Sequence, residues 1–370
     1  MTRISRAKRL VPAVIGGAAL TLAVALPAGA ASVKLPKSGV ETPSSGTVSE
    51  TGSSLLYPLF NLWVAGYNQT YSQLTVQTAS TGSGTGITDA SNGTADVGAS
   101  DAYLSTSELQ ATPTLENIPL AISAQIVEYN VPGVTAHLKL SGKLLAQIYQ
   151  GKVTTWSNSA IAKLNPTVKL PTLPIVTLHR ADSSGDTFLF TSYLSKATPS
   201  GWGSSISYNT TVSWPNVSGA LAETGNSGMV AGCKATPGCV AYVGISYLTQ
   251  VLQAAQGYAA LQNASGQYVL PSQGSIAAEA ASFANKTPAN GTISLIYGPA
   301  KQGYPIINYE YGIVNSKQST TSTAKNVRSV LEWAVNPTLG NSATYLAQVN
   351  FQPLPTKVEA GSIKQILKVK

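Results

Sequence analysis

A chain of 370 residues, 43% of them hydrophobic, is long enough for two α/β cores and too apolar to remain disordered. Only 10% of its residues are charged, well under the roughly 25% of an average soluble protein. Ser, Thr, Asn, Gln and Gly carry the surface instead, as in many extracytoplasmic proteins. The formal net charge is +8, of which Arg3, Arg6, Lys8 and Arg9 supply four. The remaining cations are scattered and give no footprint for a nucleic-acid partner.

Those four cations open a secretory signal over residues 1–30, with an apolar run over residues 11–26 and a small-residue exit, Ala28-Gly29-Ala30. No cysteine lies near that exit to carry a lipid anchor, so the expected location is extracytoplasmic, either periplasmic or secreted. Residues 31–47, with Pro36 and Pro43 among Ser, Gly and Thr, read as a flexible leader.

The fold begins at residue 48. Residues 48–51 read as a strand and Gly52-Ser53-Ser54 as a turn. A helix follows, with Pro58 in its first turn and Leu59, Leu62, Trp63 and Tyr67 facing inward. Residues 74–77 form the next strand and residues 80–86 a Gly-rich loop, where small residues admit a close ligand and Ser83 and Thr85 offer hydroxyls. The loop is neither a Walker A motif nor a dinucleotide fingerprint. Residues 95–101 alternate as a strand and end in Asp101, at the position where open α/β sheets place their ligands; ordinary turn chemistry is the other role for that carboxylate.

Residues 118–134 read as an apolar strand and as the first crossing between two lobes. Residues 141–151 then give a helix with Leu144, Leu145, Ile148 and Tyr149 on one face, and Trp156 anchors the turn after it. Residues 175–194, IVTLHRADSSGDTFLFTSYL, are the focus of the chain. They combine a strand, a polar turn and a helix. A helix starting in a Ser/Gly turn exposes unpaired N–H groups backed by its dipole, which suits an oxyanion. Arg180 adds a planar fork of donors for two oxygens of one anion. Ser183 and Asp186 also fit a capping box, in which they would satisfy only the helix's own donors.

Residues 225–228 open another helix. Cys233 and Cys239 flank a short turn that an exported protein would close as a disulfide, and two thiols without a nearby His do not make a zinc site. Residues 240–244 form a strand, and residues 304–314 another, which carries the second crossing. Two helices finish the chain, one with Val327, Leu331, Ala334 and Val335 inward, the other following Pro355 with Val358, Ile363 and Leu367 inward. The order is α/β throughout. It predicts a hinged clamshell with the ligand in the cleft: residues 48–122 and 308–370 form lobe I, and residues 123–307 form lobe II.

The motifs GSSLLYPLFNLW, GSGTGI, ADVGASDAYLS, HRADSSGDTFLFTSYLS and GNSGMVAGCKATPGCVAYVGISYL, in that order, resemble the phosphate-binding proteins of bacterial ABC uptake systems, the PstS family. The resemblance covers essentially the whole chain after the signal. It implies a type II periplasmic-binding-protein fold, inorganic phosphate as ligand, and permease and ATPase subunits of an ABC importer as partners. It further implies a monomer without cofactor, metal or catalytic residue. It also implies a phosphate site built from Ser54, the backbone of Leu55, Ser83, Asp101, Arg180, Ser184, Gly185 and Asp186, with Asp182 orienting the arginine. Three features depart from the family: Asp186 stands where a Thr is familiar, Ser54 with Leu55 replaces Thr-Phe, and the loop before Gly82 is slightly longer. A carboxylate at 186 repels an anion unless it turns away into the capping box or accepts the ligand's proton.

Three alternatives stay open on the sequence. An exported phosphatase has only His137 and His179 for a base and lacks a G-x-S-x-G elbow. The same fold could take sulfate or molybdate. A surface adhesion module would have no anion cleft.

Overall fold

The structure, a computed structural model, describes residues Gly39–Lys370. The signal peptide expected at residues 1–30 and the first part of the leader lie outside the described residues. Residues 41–44 are held against the last long helix: the Glu41 N–H donates to Glu332, the Ser44 N–H donates to Asn326, and Arg328 pairs with the Glu41 carboxylate.

The elements run in chain order as β1 Gly46–Gly52, α1 Tyr57–Thr70, β2 Leu74–Ser80, α2 Ser83–Asn92, β3 Val97–Ser100, α3 Thr106–Ala111 and β4 Leu115–Tyr129. Next come β5 Lys139–Leu140, α4 Gly142–Tyr149, α5 Ser159–Leu164, β6 Val176–Arg180, α6 Gly185–Ala197, β7 Leu221–Glu223, α7 Gly225–Ala235 and β8 Cys239–Gly244. The chain closes with α8 Leu248–Gln253, β9 Gly257–Tyr258, β10 Ala260–Gln262, β11 Tyr268–Val269, α9 Gln273–Phe283, β12 Ile307–Asn315, α10 Thr321–Val335, α11 Ala343–Leu346 and α12 Thr356–Ile366.

One curled sheet runs through the molecule in the order β2-β1-β3-β12-β4-β8-β6-β7, with β9 branching from β4. At one end β1 lies parallel to β2 and β3; at the other β6 lies parallel to β7 and β8. Between them β4 and β12 run antiparallel. The first part of β4 pairs with β12, and from Gln125 onward it pairs with β8, so a single strand belongs to both lobes. This is the type II periplasmic-binding-protein architecture of two α/β lobes joined by crossover strands. Its parallel strands need crossover connections, and helices supply most of them.

Helix α1 forms because Leu59, Trp63 and Tyr67 recur one turn apart on a single face and Pro58 suits the first turn; all three apolar side chains are buried. Burying each contributes about 1.5–3 kcal/mol, and the Trp63 indole N–H is satisfied by the Gly340 carbonyl at 2.8 Å. Helix α6 is buried at every residue from 185 to 195, which its uncharged face, FLFTSYLS, permits. Cys233 and Cys239 are bonded, fastening the end of α7 to the start of β8.

Two local expectations change. The Gly-rich segment is not an extended loop up to Ile87, because α2 already starts at Ser83. A Cβ on Gly86 would meet the carbonyl oxygens of Ala99 and Thr51, both at 2.7 Å, so that glycine lets α2 lie flat on β1 and β3. Leu367, expected inward on the final helix, lies just past α12 and is exposed, because the helix ends at Ile366.

Candidate functional site

The site lies beyond the carboxyl ends of the parallel strands, where β1, β2 and β3 of one lobe and β6, β7 and β8 of the other release their loops. From β1 come Ser53 and Ser54, from the start of α2 comes Ser83, and Asp101 follows β3 directly. All four are buried. From the opposite lobe come Arg180 at the end of β6, the turn 181–184, and the first residues of α6.

The lobes touch through small residues. A Cβ on Gly185 would stand 2.3 Å from Asp101 Oδ2 and 2.5 Å from Ser83 Oγ, so only glycine lets the start of α6 reach them. The Gly84 N–H donates to the Ser183 carbonyl at 3.0 Å. Ser54 Oγ accepts from the Asn226 backbone and side chain at 3.2 and 2.9 Å, and Ser246 donates to the Leu55 carbonyl at 2.7 Å.

Asp101 is held by hydroxyls and by a neighbouring acid. Ser53 Oγ donates to Oδ1, and Ser83 Oγ donates to Oδ2 at 3.4 Å while accepting the Asp101 N–H at 3.2 Å. Burial pushes the Asp101 carboxyl above its usual range, opposed by hydrogen bonds from Glu310, Ser53 and Ser83 and by the charge of Arg180. Glu310 sits where the register of β12 against β4 shifts, takes hydrogen bonds from Ser123 and Asn308, and is driven well above the carboxylate range by burial and by Asp101. Both effects favour its neutral form, which donates toward Asp101 rather than repelling it.

Arg180 is the only buried cation among the described residues. Its Nε donates to Asp182 Oδ1 at 2.7 Å, Nη2 donates to Asp182 Oδ2, and Nη1 donates to Asp186 Oδ2 at 2.9 Å. Burial works against its charge, but the hydrogen bond to Asp182 and the charges of Asp186 and Asp182 more than offset this and hold it fully protonated. Burial would raise Asp182, yet Arg180 and the Gly225 N–H keep its pKa below the usual value. The bidentate pair fixes the guanidinium plane, as the sequence reading assigned to Asp182.

The capping-box reading of Ser183 and Asp186 does not hold. Ser184 caps α6 by accepting the Asp186 N–H at 3.1 Å, and Ser183 turns to Thr210. The Asp186 side chain instead points into the site, taking Arg180 and Asn226 on Oδ2 and Gln125 on Oδ1. The Leu55 N–H is taken by Ser53 Oγ at 3.1 Å, as is the Leu56 N–H at 3.0 Å. Of the other sequence-derived residues, Ser83, Asp101 and Gly185 meet directly, Ser54 is linked to Arg180 through Asn226 and Asp186, and Ser184 is spent on capping α6.

Sequence reasoning passed over Ser53, Asn226, Gln125 and Glu310. Asn226 had a signal, since GNSG follows a strand and opens a helix like the other site turns. Glu310 had one too, as a carboxylate alone within an apolar alternating strand. His179 stacks flat on Trp214, ring centroids 5.0 Å apart, and its Nδ1 lies 3.2 Å from the Arg180 carbonyl oxygen.

Fold and site define a two-lobed binding protein of the periplasmic type, and residues 38–338 match the family model described as a PBP superfamily domain. The chain is 33% identical over 330 residues to the phosphate-binding protein PstS of Xylella fastidiosa strain 9a5c, covering 88% of this chain and 85% of that one. It is 32% identical over 319 residues to PstS of Pasteurella multocida strain Pm70, covering 86% and 89%. The chain belongs to the PstS family of phosphate-binding proteins. Its fold matches, with a TM-score of 0.68 at 22% identity over 85% of this chain and 92% of the other, a high-affinity periplasmic phosphate-binding protein (PfluDING) bound with phosphate.

Proposed function

We propose that the chain is an extracytoplasmic solute-binding protein that captures inorganic phosphate and hands it to the permease and ATPase subunits of an ABC importer. The observation that carries this reading is a buried guanidinium, clamped by Asp182, whose charge acts on a buried carboxylate, Asp101, near the serine-bearing helix starts. Family membership supports it, since the curated relatives are phosphate-binding proteins. Among the described residues no helix is long and apolar enough to cross a membrane.

The division of labour follows from proton counting. Hydrogen phosphate carries a proton that a desolvated carboxylate can accept, whereas sulfate at neutral pH carries none and would leave that carboxylate facing an oxygen lone pair. Asp101 is the selectivity element; Arg180, the Ser54, Ser83 and Ser184 hydroxyls and the start of α6 at Gly185 supply affinity. Residues 48–122 with 308–370 and residues 123–307 act as the two jaws, hinged where β4 and β12 cross. The protein binds without catalysing, and does so as a monomer.

Isothermal titration of the purified protein with phosphate, sulfate and molybdate tests this reading. Phosphate is expected to bind at least about a hundredfold more tightly than sulfate, the loss of a buried charge-assisted hydrogen bond being worth roughly 3 kcal/mol. Equal affinity for the two would remove Asp101 from its role, and preference for molybdate would change the ligand.

A further inference from the structure

The site holds more acids than its single cation can balance. Asp182 takes two arms of Arg180 and forms a neutral pair with it, while burial and the charge of Asp101 both favour the neutral form of Glu310. That leaves Asp101 from one lobe and Asp186 from the other, both buried and near enough for the charge of Asp101 to act on Asp186, which also engages the remaining arm of Arg180. The groups packed around Asp186 are Arg180 of β6, Asp101 beyond β3, Gln125 of β4, Asn226 of α7, Tyr242 of β8 and Tyr247 after it, with Asp182 on the other arms of the guanidinium. None of these except Arg180 is a cation.

A carboxylate oxygen and an anion oxygen can meet at hydrogen-bond distance only with a proton between them. Two carboxylates facing one tetrahedral anion need two such protons, and hydrogen phosphate brings one. We propose that Asp186 makes phosphate capture proton-linked: the closed complex holds two protons shared among the anion, Asp101 and Asp186, one more than hydrogen phosphate supplies. The second proton arrives either on the ligand, as dihydrogen phosphate, or already on Asp186. Both routes give the same stoichiometry, so the linkage does not depend on which one operates. Burial first, and the charge of Asp101 next, push the Asp186 carboxyl up to about 7 against the pull of Arg180, which makes that proton available near neutrality. A threonine at this position would carry a hydroxyl proton at every pH and create no such linkage.

The sign is fixed by which state holds more protons. Above neutrality the free anion and free Asp186 have both lost the proton that the complex retains, so affinity falls by about tenfold for each pH unit. The inference rests on the phosphate reading. The test is calorimetric titration of the full chain with inorganic phosphate at pH 6, 7, 8 and 9, repeated at pH 8 in two buffers of different ionisation enthalpy. Uptake of about one proton per phosphate at pH 8, with about tenfold weaker binding at pH 9 than at pH 8, is expected. Tight binding that stays level or strengthens between pH 7 and 9 overturns the proposal. Asp186→Asn replaces the carboxylate with a group that donates without titrating, and it is expected to abolish the uptake and flatten the profile. An unchanged slope in that variant would assign the proton elsewhere and overturn the role of Asp186. Absence of phosphate binding by wild-type protein at every pH would instead contradict the phosphate reading itself.

Discussion

At the scale of single residues, the proposed selectivity rests on how one carboxylate is held. Asp101 accepts from two serine hydroxyls of its own lobe and stands beside Glu310, whose neutral form burial favours. Hydrogen bonds to the charged form favour it, whereas burial disfavours it. Burial prevails and raises the carboxyl above its ordinary value, which readies it to take up a ligand proton. Replacing it with a group that can donate as well as accept should cancel the preference. Asp101→Asn is expected to keep the fold and to narrow the phosphate-over-sulfate ratio by at least about tenfold in competition titration, since a neutral amide no longer penalises an unprotonated oxygen. The sequence showed Asp101, Arg180 and Asp182 because charged residues at strand ends stand out in so sparsely charged a chain. Ser53 and Ser54 are chemically identical neighbours, and only the backbone decides that Ser53 holds Asp101 while Ser54 meets Asn226.

At the scale of elements, strand, serine turn and helix recur, and each copy places a helix start at one junction. The patterning of β1 with α1 and of β6 with α6 was legible because apolar spacing switches from alternation to one-turn recurrence across a polar turn. The start of α2 was hidden, since Ser-Gly-Thr-Gly reads locally as loop. What makes it a helix is its packing on β1 and β3, a tertiary effect that propensity does not record. The same contacts explain why the lobes meet through glycine. Gly185→Ala would drive a methyl into Asp101 Oδ2 and Ser83 Oγ, so phosphate affinity is expected to fall at least about tenfold while far-ultraviolet circular dichroism stays unchanged. Full affinity in that variant would mean that α6 does not approach Asp101 in the complex.

At the scale of the whole molecule, the continuity of β4 from one lobe into the other couples the lobes, and Gln125 shows how closely. It is the first β4 residue paired with β8, and its side chain donates to Asp186 in the site. In the proposed hinge, movement of one lobe relative to the other about this strand would shift a site residue as it opened the cleft. The two-lobed order was legible from alternating elements and two long apolar strands. The branch at β9 and the small sheet β11-β10-β5 were not, because two- and three-residue strands carry no periodic signal. The site gathers one cation among four carboxyl groups, so in the proposed complex the anion is held by oriented hydrogen bonds and retained protons rather than by a local excess of positive charge.

The position of the bound anion tests this most directly. In a crystal structure of the protein with phosphate, one phosphate oxygen is expected within hydrogen-bond distance of an Arg180 nitrogen, and another within hydrogen-bond distance of Asp101 Oδ2. The Ser54 and Ser83 hydroxyls should face the same anion. Phosphate seated elsewhere, or in this junction with Asp101 turned away from it, would contradict the account.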